Sequence, residues 1–286
     1  MKNENKVLAC VDQSIYADYV TDYAAWAAQR MQAPLELLHI IDRPIASTAE
    51  DHSGSIGFDA KEALLDELSE QDEQRSKAAR EEGRSLLNHL RERALTSGIA
   101  EADMRQRHGD LEDALVEQQL GVRLYVLGRR GASADTTQRD LGRNVERVVR
   151  ALNRPVLTVT QPFSAPQRIL IAFDGGIVTR RGVEMVAASP LFKGLPVHLL
   201  MSGKASSESA KQLDWAQKTL SEAGFETLAA HIPGDTEKVI ADYVRREGVD
   251  LLIMGAYPNS VWRNLFFGST TTELLRAATI PTLLLR

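Results

Sequence analysis

Val7-Leu8-Ala9-Cys10-Val11-Asp12 returns, in altered letters, as Ile169-Leu170-Ile171-Ala172-Phe173-Asp174. Each is a short apolar run closed by an aspartate, and the two lie 162 residues apart. Working outward, Leu35-Glu36-Leu37-Leu38-His39 is matched by Val197-His198-Leu199-Leu200-Met201 at the same offset of 162. Gly109-Asp110 reappears as Gly234-Asp235 at an offset of 125. Leu124-Tyr125-Val126-Leu127-Gly128 reappears as Leu251-Leu252-Ile253-Met254-Gly255 at 127, and Pro155-Val156-Leu157-Thr158-Val159 as Pro281-Thr282-Leu283-Leu284-Leu285 at 126. Five matches in one order are the mark of an internal duplication. The fall in offset from 162 to about 126 puts roughly 36 extra residues into the first half, between His39 and Gly109.

Each half therefore reads as five short apolar runs separated by helical stretches. Runs of four to six Val, Ile and Leu residues suit strands buried on both faces. Tyr16 to Met31 has helical spacing through Val20, Tyr23, Ala24, Ala27 and Met31, and Leu111 to Leu120 and Thr236 to Arg246 follow suit. Strands alternating with helices imply right-handed βαβ units and a parallel sheet. The expected fold class is α/β: two tandem doubly wound, Rossmann-like domains of five parallel strands, the first carrying a long helical and loop insert.

The insert is polar. His52-Ser53-Gly54-Ser55-Ile56-Gly57 reads as a loop. Lys61 to Ala94 is dense in charge but keeps Leu64, Leu65, Leu68, Leu86, Leu87 and Leu90, so it reads as a long surface helix broken near Gly83, or as a lid or partner-binding arm. Gln161-Pro162-Phe163-Ser164-Ala165-Pro166-Gln167 has two prolines and no periodicity, and reads as a linker. The expected domains are residues 1–160 and 168–286, joined by 161–167.

Composition narrows the function classes. The chain has 286 residues, about two domains at roughly 150 residues each. Lys plus Arg number 34 and Asp plus Glu 39, a net charge of −5, which argues against a nucleic-acid partner. The single cysteine, Cys10, rules out an internal disulfide and a multi-cysteine zinc site, and its apolar neighbours predict a buried thiol. No apolar stretch reaches the 18 or so residues of a membrane span, and the first residues lack the apolar core of a signal peptide, so a cytoplasmic protein is expected. The six histidines form no HExxH pair or other ligand spacing, so no metal is expected. His108 and His231, each just before a Gly-Asp pair, read as one shared place in the repeat and as the remote candidates for a catalytic base. No GxSxG elbow or GxxxxGK[ST] loop is present, and the acidic partners of a receiver domain are missing.

Open parallel sheets bind ligands beyond the carboxyl ends of their strands, at the point where strand order switches. In the second half that edge gathers Asp174, Gly255-Ala256-Tyr257-Pro258 and, after nine residues, Gly268-Ser269-Thr270-Thr271 opening a helix. A glycine before Ser and Thr at a helix start is a phosphate cradle: the backbone approaches closely, free N–H groups point at the anion, and the hydroxyls donate. The same residues also serve as plain helix caps. Asp12 and Asp174 suit turn and cap chemistry as well.

These motifs resemble the universal stress proteins, whose signature is Gly-x2-Gly-x9-Gly-Ser/Thr after strand 4, with an Asp closing strand 1. The second half gives Gly255-x2-Pro258-x9-Gly268-Ser269: the spacing is complete and one glycine has become proline, which has no N–H to donate. The first half gives Gly128-Arg129-Arg130-Gly131, ten residues, then Gly142-Arg143; both early glycines are kept, the spacer is one too long, and Arg143 replaces Ser/Thr. Val145 to Val149 and Arg154-Pro155-Val156-Leu157 also look like that family's helix 4 and strand 5. The resemblance covers nearly the whole chain, twice, except about residues 45–80.

The resemblance implies binding of ATP or another adenine nucleotide, with or without Mg2+. Carried over, Asp174 faces the adenosine, and Gly255, Gly268, Ser269 and Thr270 hold the phosphates. In the first half Asp12, Gly128, Gly131 and Gly142 mark an altered site, where Arg143 either meets a phosphate or fills the pocket. Arg129, Arg130, Arg139 and Arg143 read as a solvated basic loop. The resemblance further implies that the last strands, Val156–Val159 and Leu283–Leu285, pair across a pseudo-two-fold, so one chain mimics a dimer; a homodimer of chains is also open. The expected function is a stress-response sensor with little turnover, at most a slow ATPase. The alternative is a stress protein that has left nucleotides and works through protein or small-molecule contacts, and a hydrolase using His231 or His108 stands third.

Overall fold

The computed structural model describes residues 5–41, 58–129, 143–256 and 280–286, the side chains of 58–70, 72, 143 and 144 excepted. The first half runs β1 (Lys6–Val11), α1 (Tyr16–Met31), β2 (Leu35–Ile41), α2 (Phe58–Thr96), β3 (Ala102–His108), α3 (Leu111–Gln118), β4 (Val122–Gly128), α4 (Arg143–Ala151) and β5 (Val156–Val159). The second runs β6 (Ile169–Ala172), α5 (Ile177–Ala188), β7 (Val197–Ser202), α6 (Ser207–Glu222), β8 (Thr227–Ile232), α7 (Thr236–Glu247), β9 (Leu251–Gly255) and β10 (Thr282–Leu285). Every residue of β1, β5 and β10 is buried, as strands covered by helices on both faces must be.

The duplication seen in the letters is also a duplication of register. Val7 pairs with Leu35 and Leu124, and Ile169 pairs with Val197 and Leu251, the same offsets of 162 and 127. Leu35 pairs with Ala102 and Val197 with Thr227. All pairs within a half are parallel, in the order β3-β2-β1-β4-β5 and its counterpart β8-β7-β6-β9-β10. The halves then fuse: β5 and β10 pair antiparallel, Leu157 opposite Leu283, with Thr158 Oγ1 donating to the Thr282 carbonyl at 3.1 Å. The result is one ten-stranded sheet, and the expected pairing of the last strands across a pseudo-two-fold is present within the chain.

Two apolar layers run across both halves. One joins α1, α2, α5 and α6 to the sheet, and the other joins α3, α4 and α7 to the opposite face. Crossover handedness dictates this split, because α1 and α2 lead one way along the sheet and α3 and α4 the other. The seam is further held by Arg30, which donates to the carbonyls of Leu191 and Lys193, and by Tyr23, whose ring meets Phe163 edge-on at 4.9 Å. Residues 161–167 are thus tied to the body: beside the Phe163 contact, the Gln167 and Arg168 N–H groups donate to the Asp250 carboxylate. Cys10 is buried as expected, and burial pushes its thiol well up.

The expected break at Gly83 does not occur. α2 runs unbroken for 39 residues, about 58 Å at 1.5 Å per residue, against 16 residues in α6. Gly83 serves packing instead: a Cβ there would lie 2.6 Å from His39 Cδ2 and 2.2 Å from Gln106 Nε2, so only glycine lets the helix settle on β2 and β3. His39 is fixed beneath it, with Nδ1 at 2.9 Å from the Val11 carbonyl.

Buried polar pairs differ between the halves at equivalent places. Lys6 and Glu36 form an ion pair of 2.8 Å, 4% and 1% exposed, and Arg105 adds a second contact to Glu36 at 3.2 Å. In the second half the same two positions are Arg168 and His198. Arg168 donates to the Glu247 carbonyl, and His198 Nδ1 lies 3.0 Å from the Tyr243 hydroxyl. Burial, then the Arg168 charge, lowers the His198 pKa below its ordinary 6.5. The unfolded chain therefore binds that proton more readily than the folded one, so stability falls as pH drops through and below 6.5. Urea titrations across mildly acidic pH are expected to show this loss in the parent chain and a flatter profile in His198→Gln.

Candidate nucleotide site at the carboxyl edge

The switch of strand order lies between β6 and β9 in the second half and between β1 and β4 in the first. Strand β6 delivers Asp174 to the edge, where it is exposed. Its Oδ1 accepts from the Gly176 N–H at 2.8 Å and from Thr179 Oγ1 at 2.5 Å. The turn between them holds Gly175 at φ +77°, a left-handed conformation that favours glycine. On the other side of the switch β9 ends at Gly255, whose bare Cα faces α5: a Cβ there would come within 3.3 Å of Val178 Cγ1 and 3.4 Å of Thr179 Cγ2. Thr179 therefore touches both walls, its hydroxyl on Asp174 and its methyl toward Gly255. Sequence reading missed it; the signal was the one hydroxyl of α5, five residues after Asp174.

The rim of this half is lined by glycine, and Gln212 of α6 lies over the first of them: a Cβ on Gly175 would come within 1.8 Å of Gln212 Oε1. Four strands of this half leave through or close to glycine: Gly175 after β6 and Gly255 at the end of β9, which flank the switch, and Gly203 after β7 and Gly234 after β8, further out. Around Gly203 there is open space, with no atom within 4 Å of a built Cβ. Behind the rim, Ser202 Oγ lies 2.8 Å from Thr236 Oγ1, and Asp235 caps α7 by accepting from the Lys238 N–H. On the α5 and α6 side, Arg180 donates to the Gly175 carbonyl and lies 5.0 Å over the Trp215 ring. The structure thus brings Asp174 and Gly255 together. Pro258, Gly268, Ser269 and Thr270 lie outside the described residues.

The first half keeps the plan and alters the rim. Asp12 Oδ1 accepts from the Ser14 N–H at 3.0 Å, and Ser14 Oγ in turn accepts from the Tyr16 N–H at 3.3 Å. Asp12 therefore makes an Asx turn ahead of α1 rather than capping the helix itself, since the cap position is Ile15 with no side-chain bond. Where the second half has Gly175, this half has Gln13, which donates to Glu82 of α2 at 3.2 Å. Ala17 stands in the place of Thr179. α2 crosses the strand ends: Gln106 donates to the Arg80 carbonyl and Arg80 Nε lies 3.3 Å from His108 Nε2. Gly128 ends β4 and faces Val159 in the ladder. Arg129 corrects the solvated-loop reading, being only 6% exposed with its N–H on the Val159 carbonyl. Arg130, Gly131, Arg139 and Gly142 lie outside the described residues; Arg143 is the first residue of α4.

His108 and His231 do not share one place. Register pairs His39 with Gln106 and Met201 with His231, so His231 stands where the first half has Gln106, two residues earlier than His108. Both lie on the outermost strands, two strands from the switch point, which leaves neither beside Asp12 or Asp174. Among the described residues no helix is long and apolar enough to cross a membrane.

Known proteins share this plan. The sequence model of the universal stress protein family matches residues 4–160 and again 200–286. Universal stress protein Slr1230 of Synechocystis is 31% identical over 290 residues, covering all of both chains. Among solved structures, a universal stress protein from Archaeoglobus fulgidus superposes with a TM-score of 0.72 at 19% identity, covering 99% of this chain and 98% of that one. One from Pseudomonas aeruginosa, described as a putative universal stress protein, gives 0.64 at 17% identity, covering 99% and 93%. With the family's pattern found twice in one chain, and a relative similar from end to end, the protein belongs to the universal stress protein family and carries its domain in tandem.

Proposed function

We propose that the chain binds an adenine nucleotide, ATP in the first instance, mainly in its C-terminal domain of residues 168–286, and acts in the cytoplasm as a stress-response sensor. The observation that carries this reading is the second-half edge: an exposed Asp174 carboxylate and the bare end of β9 at Gly255 meet across Thr179, behind a rim of glycines. Asp174 Oδ1 is held by Gly176 and Thr179, which sets the other oxygen to accept from a ribose hydroxyl. A bound nucleotide would supply a polyanion, and Gly268, Ser269 and Thr270, which lie outside the described residues, would supply N–H and hydroxyl donors for it if the sequence motif acts as expected, with Mg2+ sharing the charge. The first domain, residues 1–160, supports binding less well, because Gln13, bonded to Glu82, stands where the second half has Gly175, Ala17 replaces Thr179, and Arg143 replaces the Ser/Thr of the motif.

This function needs little or no turnover, at most a slow ATPase. A general base must reach the attacking water within hydrogen-bond distance, and the histidines considered for that task stand two strands away from the switch. Any ATP hydrolysis is expected to be slow. The test is nucleotide binding by protein stripped of co-purified ligand. Gly268→Val combined with Ser269→Ala is expected to abolish ATP binding while the melting temperature holds, and undiminished binding by that variant would overturn the site.

A further inference from the structure

The ten-stranded sheet has two free edges, β3 and β8, which occupy equivalent places in the repeat. Their chemistry differs. On β3, the row of side chains toward α3 and α4 is Asp103, Arg105 and Arg107; Arg105 meets Glu36 at 3.2 Å and Arg107 meets Glu117 at 2.8 Å. On β8 the same row is Leu228, Ala230 and Ile232, and the alternate row is Thr227, Ala229 and His231. No residue of β8 carries a fixed charge. Leu228 is 52% exposed, and Ala230 and Ile232 are half-buried beside the core that holds Ile240 and Tyr243. Among the described residues β8 pairs only with β7; the Thr227 carbonyl accepts from Gln217 Nε2 at 3.4 Å, and from Ala229 onward the outer backbone groups form an open ladder edge.

Charged side chains on an edge strand oppose the addition of another strand, and an uncharged edge of small and apolar residues invites it. Antiparallel strands related by a two-fold normal to the sheet place residue i opposite residue j with both side chains on one face. An axis through Ala230 sets Ala230 against Ala230, Leu228 against Ile232 and Ala229 against His231, so the apolar row meets itself with its smallest member at the centre. The same operation on β3 would set Arg105 against Arg105. The chain already uses the favourable arrangement once, where uncharged Val156, Leu157 and Thr158 of β5 meet Leu284, Leu283 and Thr282 of β10.

We propose that β8 is a docking edge for a second copy of this chain, joined antiparallel about a two-fold through Ala230, which extends the sheet across two chains. The self-match of the β8 row selects a second copy over an unrelated strand, and the charged β3 edge is kept out of the contact. Sedimentation velocity of the full chain over a range of concentrations tests this. A dimer is expected, and Leu228→Lys is expected to raise its dissociation constant about tenfold or more, since the two-fold makes each substitution act twice. Met104→Lys, which places the same charge on the β3 edge at a residue 41% exposed, is expected to leave the dimer unchanged. Both variants alter exposed side chains, so unchanged melting temperatures report that the fold is kept. A monomer at every concentration, or a dimer equally tight in Leu228→Lys, overturns the proposal.

Discussion

Glu36→Leu is expected to lower the free energy of unfolding by about 3–5 kcal/mol, the usual loss when one member of a buried ion pair is removed. Lys6 is the reason. Its ammonium is 4% exposed and held 2.8 Å from Glu36, with Gln118 Oε1 at 3.2 Å as a weaker second acceptor. Without the carboxylate, a charge stays buried between β1 and β2 with one neutral partner, and Arg105 loses its contact at 3.2 Å. The second half shows that the fold does not need the pair, since Arg168 and His198 stand at these positions with other partners. Lys6→Met added to Glu36→Leu is therefore expected to recover most of the loss, because apolar replacement of a whole buried pair is often neutral or better. Urea unfolding of the three chains checks both statements. A single variant as stable as the parent would mean that Lys6 reaches water.

Asp174→Ala is expected to weaken adenine-nucleotide binding about ten- to hundredfold. A hydrogen bond to a charged group is worth roughly 1.5–3 kcal/mol, and each 1.4 kcal/mol is a factor of ten. The substitution also frees the Gly176 N–H and leaves the Thr179 hydroxyl with the Gly176 carbonyl alone, so a fall in stability of about 1 kcal/mol accompanies it. Thr179→Val separates the two effects: it keeps the carboxylate and removes the bond that aims it, so affinity falls by less than in Asp174→Ala. Asp12→Ala, the matching change in the first half, is expected to leave affinity and stoichiometry as they were. Calorimetric titrations of the three variants check this ranking.

The strands were legible because their runs are apolar on both faces, and the duplicated offsets became duplicated registers. The fusion through β5 and β10 was expected only through family resemblance, since nothing in Val156–Val159 alone names its partner. Gly83 was misread because glycine signals a helix break locally, whereas here the close approach of His39 and Gln106 overrides that signal. The histidines were paired wrongly because both stand near a Gly-Asp pair, one residue before it in His108 and three before it in His231, and the ladder confirms that they are two residues out of step. That Asp174 and Gly255 reach one edge was legible because topology sends both to one switch point. Thr179 and the Gln13–Glu82 contact were not, since each depends on which side chains meet across elements distant in sequence.

The central claim is that the chain binds nucleotide mainly in the second domain of the tandem. Calorimetric titration of Mg-ATP into the stripped, full-length protein tests it most directly. The account predicts about one site per chain, lost in Gly268→Val combined with Ser269→Ala. Two equal sites per chain would contradict the weaker first half, and no heat at all would contradict nucleotide binding by the second.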